Sequence, residues 1–171
     1  AVPGGRVSAP NGKGPEPARR AGTLAAPMRA DAAEKAILGA VLIDTAAAKA
    51  AGELLAPADF YSDKHRLLYA ATQRLVARDG TVDMVTLEEE MRSTGEWAKL
   101  EGPNLEGSRA YLMELVESLS TAAHAPHYAR LVKEASLDRQ FVIQLERTHQ
   151  DKTSENVKRL HELLDALRGV R

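Results

Sequence analysis

Apolar residues recur at helical spacing along most of this chain, and the segment DAAEKAILGAVLID, from Asp31 to Asp44, shows the pattern most clearly. Asp31 is followed three residues later by Glu34, which is the spacing of a capping box and predicts the start of a helix. Gly39 has no side chain and would allow a neighbouring helix to approach closely. The apolar residues that share one face of this predicted amphipathic helix are Ile37, Leu38, Val41 and Leu42.

The composition favours an all-α fold. Hydrophobic residues make up 44% of the 171 residues and aromatic residues 4%, so the core must be built mostly from Leu, Ala and Val. The chain contains no cysteine, and no apolar run approaches the roughly 20 residues needed to span a bilayer. We therefore expect a helical protein of the cytoplasm that forms no disulfide and makes no contact with a membrane.

Further helices are predicted in order along the chain. A second helix covers 45–54, and a third, which begins at Ser62 or Asp63, ends at Asp79 and Gly80. Thr86 and Glu89 have the spacing of another capping box and would open a fourth helix, which stops near Gly95. A loop follows over 96–107. A fifth helix is indicated by the spacing of Tyr111, Leu112, Leu115, Val116 and Leu119.

The last 45 or so residues predict a helical hairpin. A sixth helix runs over 126–150, with Tyr128, Leu131, Val132 and Ala135 on one face, and the polar turn DKTS follows it. Beyond the turn, apolar residues recur at the spacing of a coiled-coil seam, which Leu163 widens. An antiparallel hairpin over 126–168, beside a globular part over 31–125, could bury an outer apolar stripe only against a partner. The predicted interface residues are Phe141, Leu145, Val157, Leu160, Leu164 and Leu167.

Residues 1–29 are rich in Pro, Gly and Ala without an apolar period, and we expect them to be disordered. They carry five cations and one carboxylate, so their charge is +4 and the remainder of the chain carries -5. The tail could stay solvated or could contact phosphates. The piece GGRVSAPNGKG is not a Walker A loop, because Val7 stands where that motif requires Gly and neither Ser nor Thr follows Lys13.

The sequence predicts no catalytic residue, no bound cofactor and no metal site. His124 and His127 form an H-x-x-H pair, but a zinc site needs a third protein ligand. His65 is expected to support local hydrogen bonding. Glu88, Glu89 and Glu90 are expected in the first turn of a helix, where negative charge favours the helix dipole. Trp97 could either anchor the core or contact a partner.

Four ordered segments resemble one family. They are DAAEKAILGAVLID, LAPADFYSDKHRLLYAA (55–71), GTVDMVTLEEEM (80–91) and AYLMELVESLSTAAHAPHYARLV (110–132). Their order and spacing over about 31–140 are similar to the N-terminal domain of DnaB-type replicative DNA helicases. Two departures stand out: EGPNLEGSRAYL replaces the usual glycine pair before the YL block, and His124 stands where Asn is common.

The resemblance implies a domain that docks other proteins. In the helicases this domain forms a collar as a trimer of dimers, with hairpins that pair between subunits. The collar receives the C-terminal domain of the DnaG-type primase and, in some systems, a helicase loader. DNA would be contacted only indirectly. The sequence printed ends at Arg171 before any RecA-like ATPase domain, so this chain alone is not expected to hydrolyse ATP.

Two kinds of chain fit the resemblance. One is the N-terminal domain of a complete, ATP-dependent helicase, and the other is a free-standing relative that modulates a helicase or a primase. A small helical DNA-binding protein that uses the basic tail is a third reading.

Overall fold

A computed structural model describes residues 30–78, 80–100, 107–119 and 121–170. The described residues form helices and connecting turns and contain no strand, as the composition predicts. The predicted tail over 1–29 lies outside them. The helices are α1 (Asp31–Ile43), α2 (Thr45–Leu54), α3 (Asp63–Ala77), α4 (Met84–Ser93), α5 (Trp97–Leu100), α6 (Gly107–Glu117), α7 (Ala125–Gln150) and α8 (Ser154–Val170), with short 3-10 turns at Pro57–Asp59 and Ala122–His124.

The predicted apolar face of α1 is the centre of the core. Ile37 and Val41 are fully buried, and Leu38 and Leu42 are at most 7% exposed. A Cβ atom added at Gly39 would lie only 2.3 Å from the backbone oxygen of Leu115 on α6. The absence of a side chain therefore lets the two helices pack closely, as the sequence predicts.

Both predicted capping boxes are wrong. At α1 the N-cap is Ala30, with no side-chain cap, because the carboxylate of Glu34 is fully buried and bonds to residues further along the chain. At α4 the N-cap is Asp83, whose side chain accepts hydrogen bonds from the backbone of Val85 and Thr86. The N-cap therefore lies three residues before the predicted cap at Thr86.

The connection after α4 is partly helical. Gly95 adopts a φ of 73°, which ends α4 where the sequence places its end. Trp97 then begins the single turn of α5, within the stretch predicted to be a loop. Its side chain is 4% exposed and lies under the guanidinium of Arg92, 5.0 Å from the ring centroid. Of the two roles considered for Trp97, the structure supports core anchoring.

Helix α7 belongs to both parts of the molecule. It packs against α1 and α2 through residues near its start, and against α8 through residues that include Leu137 and Phe141. Leu131 is 39% exposed, so its predicted place on the packed face is wrong. The other predicted residues Tyr128 and Val132 do pack against the core of the body, together with Ala125 and Ala129, and Ala135 is buried. Because the helix is continuous, the hairpin extends directly from the body.

Candidate protein-interaction site

A buried carboxylate connects three of the recognisable segments. Glu34 is 0% exposed, and its two oxygens accept hydrogen bonds from the backbone N–H of Tyr61 at 2.6 Å and from that of Ser62 at 3.4 Å. The Nδ1 atom of His65 lies 2.6 Å from the same carboxylate. Burial pulls the pKa of Glu34 upward, but the bonds from His65, Tyr61 and Ser62 outweigh it, so the pKa lies below its ordinary value.

His65 extends this network to α6. A carboxylate can only accept, so Nδ1 of His65 donates to Glu34, and Nε2 lies 2.5 Å from the hydroxyl oxygen of Tyr111. Burial and neighbouring carboxylates raise the pKa of Tyr111 to about 12, so its hydroxyl stays protonated. The prediction that His65 supports local hydrogen bonding is confirmed. The three side chains hold α1, α3 and α6 together.

Asp59 links α7 to the globular part through hydrogen bonds. It is 4% exposed, and its carboxylate accepts from the backbone of Ala56 at 2.9 Å, from Ser136 Oγ at 2.7 Å and from Lys133 Nζ at 2.9 Å. Arg139, from the next turn of α7, donates to the carbonyl oxygen of Asp59. The carboxylate and the carbonyl oxygen of Asp59 thus bind three successive turns of α7, at the point where the hairpin leaves the body.

The glutamates of α4 are ion-pair partners. They lie in the second turn of α4, so their predicted place in the first turn is wrong. Glu88 binds Arg109 at 2.7 Å and Arg92 at 2.9 Å. Glu90, which is 6% exposed, binds Arg74 at 2.7 Å and also Arg78. Hydrogen bonds from these arginines lower the pKa of both carboxyl groups. Both carboxylates are therefore ionised and form ion pairs that link α4 to neighbouring helices.

Beyond the body, α7 and α8 pair along an apolar seam. Leu137, Leu163 and Leu167 are buried in it, and Phe141 and Val170 pack against them. Near the turn, Gln144 donates to the backbone and side-chain oxygens of Asn156 at 3.2 Å. Thr148 donates to the same backbone oxygen at 3.3 Å. The hairpin is therefore closed by apolar contacts along its length and by hydrogen bonds at its tip.

One lateral side of the hairpin carries a row of half-buried or exposed apolar residues. In an antiparallel pair of helices, residues rotated in the same sense from the two seams project to the same side of the pair. By this geometry Val142 and Leu145 of α7 share a side with the half-buried or exposed apolar residues of α8, which are Val157, Leu160 and Leu164. The opposite side carries mostly charged residues and Ile143, which is 48% exposed. We call the first side the apolar side.

The structure separates the six predicted interface residues into two groups. Leu167, 7% exposed, and Phe141 take part in the internal seam of the hairpin. Leu145, Leu160 and Leu164 are half-buried, and Val157 is 38% exposed. These last four lie on the apolar side, where they could contact another molecule.

Several exposed apolar residues outside the paired part of the hairpin were not predicted as contacts, namely Ile43, Val85, Met113 and Leu131. Val85 on α4 is 74% exposed and lines a groove with Met84, Glu89 and Arg109. Leu131, at the base of the hairpin, lines a second groove beside the start of α1. The sequence could have indicated that Val85 is exposed, because it lies in the first turn after the N-cap Asp83 and does not share the helical face of the buried residues of α4.

The described residues bring together no three His, Cys, Asp or Glu side chains that could hold a metal ion. His124 and His127 instead lie against the ring of Tyr128. None of the described helices combines the length and the apolar character that crossing a bilayer requires.

Comparison with known proteins identifies the family. The model of the DnaB-like helicase N-terminal domain matches residues 26–134. The replicative DNA helicase DnaB of Geobacillus stearothermophilus is 37% identical over 110 residues, which are 64% of this chain and 23% of that protein. For the replicative DNA helicase DnaC of Bacillus subtilis the identity is 34% over 110 residues, again 23% of the relative.

A solved structure shows the same fold. The crystal structure of the N-terminal domain of DnaB helicase from Mycobacterium tuberculosis superposes with a TM-score of 0.69 at 30% sequence identity, covering 81% of this chain and 99% of that one. This chain spans about a quarter of the length of the curated helicases that it matches. The chain belongs to the family of DnaB-like helicase N-terminal domains.

Proposed function

We propose that this domain forms the collar of a replicative helicase by self-association through the apolar side of its hairpin. The observation that carries the proposal is the row Val142, Leu145, Leu160 and Leu164, which the rest of the described chain leaves partly uncovered. Burying a Leu side chain completely is worth about 1.5–3 kcal/mol. Several such residues on one side of a hairpin that projects from the body favour pairing with a second hairpin, in a dimer or a trimer of dimers.

Sedimentation equilibrium of the unaltered chain tests this proposal. We expect a reversible association whose weight-average mass rises with concentration from one copy to at least two. A chain that stays monomeric at every concentration in the micromolar range would contradict the proposal. Circular dichroism on the same sample shows whether the helices remain formed, so that an unfolded sample is not mistaken for a monomer.

In the complete protein we propose that this domain docks other replication proteins, while ATP hydrolysis and unwinding belong to a part outside this chain. The family resemblance supports the C-terminal domain of a DnaG-type primase as a partner, and a helicase loader as another. The groove beside Val85 is a surface for such a partner, because this side chain is 74% exposed and lies away from the hairpin.

Calorimetric titration of the chain with the C-terminal domain of a DnaG-type primase tests this docking. Val85→Asp should weaken binding, whereas Ile143→Asp, an equivalent change on the charged side of the hairpin, should not. Binding that Val85→Asp leaves unchanged would place the primase elsewhere on the domain. An absence of binding by the unaltered chain would contradict the docking role.

A further inference from the structure

We infer that residues 23–29, the segment TLAAPMR that leads directly into α1, bind back on their own chain in the groove at the base of the hairpin. This contact is separate from the proposed self-association, because it joins two parts of one chain. It would cover Leu131 and link the start of α1 to α7. The disorder expected of the tail would then apply to residues 1–22.

The groove lies between the first turn of α1 and α7. Four alanines and Leu131 form its apolar part, and Asp31 and Glu134 are the charged residues that line it. Leu131 leaves 39% of its surface exposed. The groove thus offers an apolar floor, and the charge of its lining is negative.

The segment is held beside this groove by its connection to α1. Ala30, the residue that follows the segment, is itself a lining residue. Successive Cα atoms are about 3.8 Å apart, so Met28 lies within about 8 Å of Ala30 in any conformation. An extended stretch of seven residues spans up to roughly 25 Å, whereas α7 rises only roughly 6 Å from Leu131 to Ala135. The segment is therefore long enough to cross the groove.

The side chains of the segment suit an apolar floor. Leu24 and Met28 are the two largest apolar side chains in residues 1–29, and both lie in the segment. The residue before Pro27 is biased toward extended backbone, which opposes an upstream continuation of α1. In an extended chain alternate residues face one side, so Leu24 and Met28, four positions apart, would face the groove together.

Charge favours the same occupant. Residues 1–29 carry five cations and one carboxylate, whereas the charged residues that line the groove are acidic. Arg29 is the cation nearest to the groove in sequence, and its stem can lie on the alanines while its guanidinium group reaches Asp31 or Glu134. The family match begins at residue 26, so Met28 and Arg29 belong to the part of the chain that the family shares.

Alkylation of one introduced cysteine by iodoacetamide tests this docking, because the chain contains no cysteine of its own. Ala26→Cys places a thiol between Leu24 and Met28. A segment docked for about nine tenths of the time would slow alkylation about tenfold, because the reagent reaches the thiol only in the open fraction. Adding Leu131→Ser removes the apolar floor and should restore the fast rate. Ala9→Cys is the matched control, since Ala9 also precedes a proline in the tail, and its rate should not respond to Leu131→Ser.

Disulfide formation between two introduced cysteines identifies the occupant. Leu24→Cys with Leu131→Cys should oxidise within one chain, which a non-reducing gel and the intact mass detect as an oxidised monomer. Leu24→Cys with Lys64→Cys is the control for tethering alone. Lys64 also lies beside the first turns of α1, since its Nζ atom and that of Lys35 lie 5.1 and 5.7 Å from the ring centroid of Tyr111. This second pair lies outside the groove and should oxidise much more slowly.

Three results would overturn the docking, provided that circular dichroism shows the helices retained. The first is an alkylation rate at position 26 that Leu131→Ser leaves unchanged. The second is equal oxidation of the two cysteine pairs, because tethering alone would then explain both. The third is oxidation of the 24–131 pair into dimers, which would place the segment of a second copy in the groove. The variant Leu160→Asp with Leu164→Asp should keep the slow alkylation at position 26, and a fast rate there would assign the protection to association of copies instead.

Discussion

Gly39 is the position where a single methyl group should separate two helices. Gly39→Ala places a Cβ atom 2.3 Å from the Leu115 carbonyl oxygen and 2.6 Å from Cδ1 of Leu119. A relaxed carbon to oxygen contact is about 3.3–3.6 Å, so α1 and α6 must move apart by roughly 1 Å. Overpacking of this kind costs about 1–3 kcal/mol, and the better helix propensity of Ala returns about 0.5–1 kcal/mol. Because the displacement of roughly 1 Å puts the cost toward the upper end of that range, the expected net loss of unfolding free energy is about 2 kcal/mol.

Urea denaturation followed by circular dichroism measures this loss. Gly169→Ala is the matched control, because it makes the same change in helix α8 where nothing lies within 4 Å of the added Cβ. The control should be as stable as the unaltered chain or slightly more stable. If Gly39→Ala were also as stable as the unaltered chain, the close approach of α1 and α6 would not be a constraint on this fold, and the reasoning would be refuted.

Three further predictions concern the polar network and the tail. Because the folded-state pKa of Glu34 lies below its ordinary 4.5, this carboxylate stabilises the fold above that pH and the contribution disappears as the pH falls through the folded-state pKa. The difference in free energy of unfolding between the unaltered chain and Glu34→Gln should therefore be largest near pH 7 and should become smaller in acid. A difference that does not change with pH would contradict this. Asp59→Ala leaves Ser136 and Lys133 without their acceptor and should cost about 3 kcal/mol in urea denaturation, whereas Asp165→Ala, in an exposed pair, should cost less than about 0.5 kcal/mol. Any affinity for labelled oligonucleotides should fall steeply with salt and disappear when residues 1–29 are deleted; tight, salt-insensitive binding by the shortened chain would revive the DNA-binding reading.

The spacing of nearby apolar residues correctly predicted the helices and buried faces that depend on it. The apolar face of α1 follows from the spacing of its residues, and the bounds of α2 follow from its Ala-rich run and Pro57. The role of Gly39 was also predictable, since a glycine inside an apolar helix has few uses other than close packing. These features depend on residues within one or two turns of each other.

The errors arose where distant residues decide the outcome. Glu34 has the spacing of a cap residue, but its donors come from residues 27 to 31 positions later in the sequence. Leu131 fits the apolar period of α7, yet the covering surface changes from the body to α8 along that helix, and no single period describes both halves. Asp59 and His65 lie in one family segment, 55–71, but only the folded chain shows which helices each of them links.

The most direct test of the proposed collar interface replaces two leucines on the apolar side. Leu160→Asp with Leu164→Asp should abolish self-association in sedimentation equilibrium, because it puts two carboxylates where two apolar side chains would be buried. Ile143→Asp, on the charged side of the hairpin, should associate like the unaltered chain. Fluorescence of Trp97, the single tryptophan, reports whether the body stays folded in each variant. Loss of association by the leucine variant alone, with Trp97 still buried, is the predicted result, and an unchanged oligomer in that variant would contradict the account.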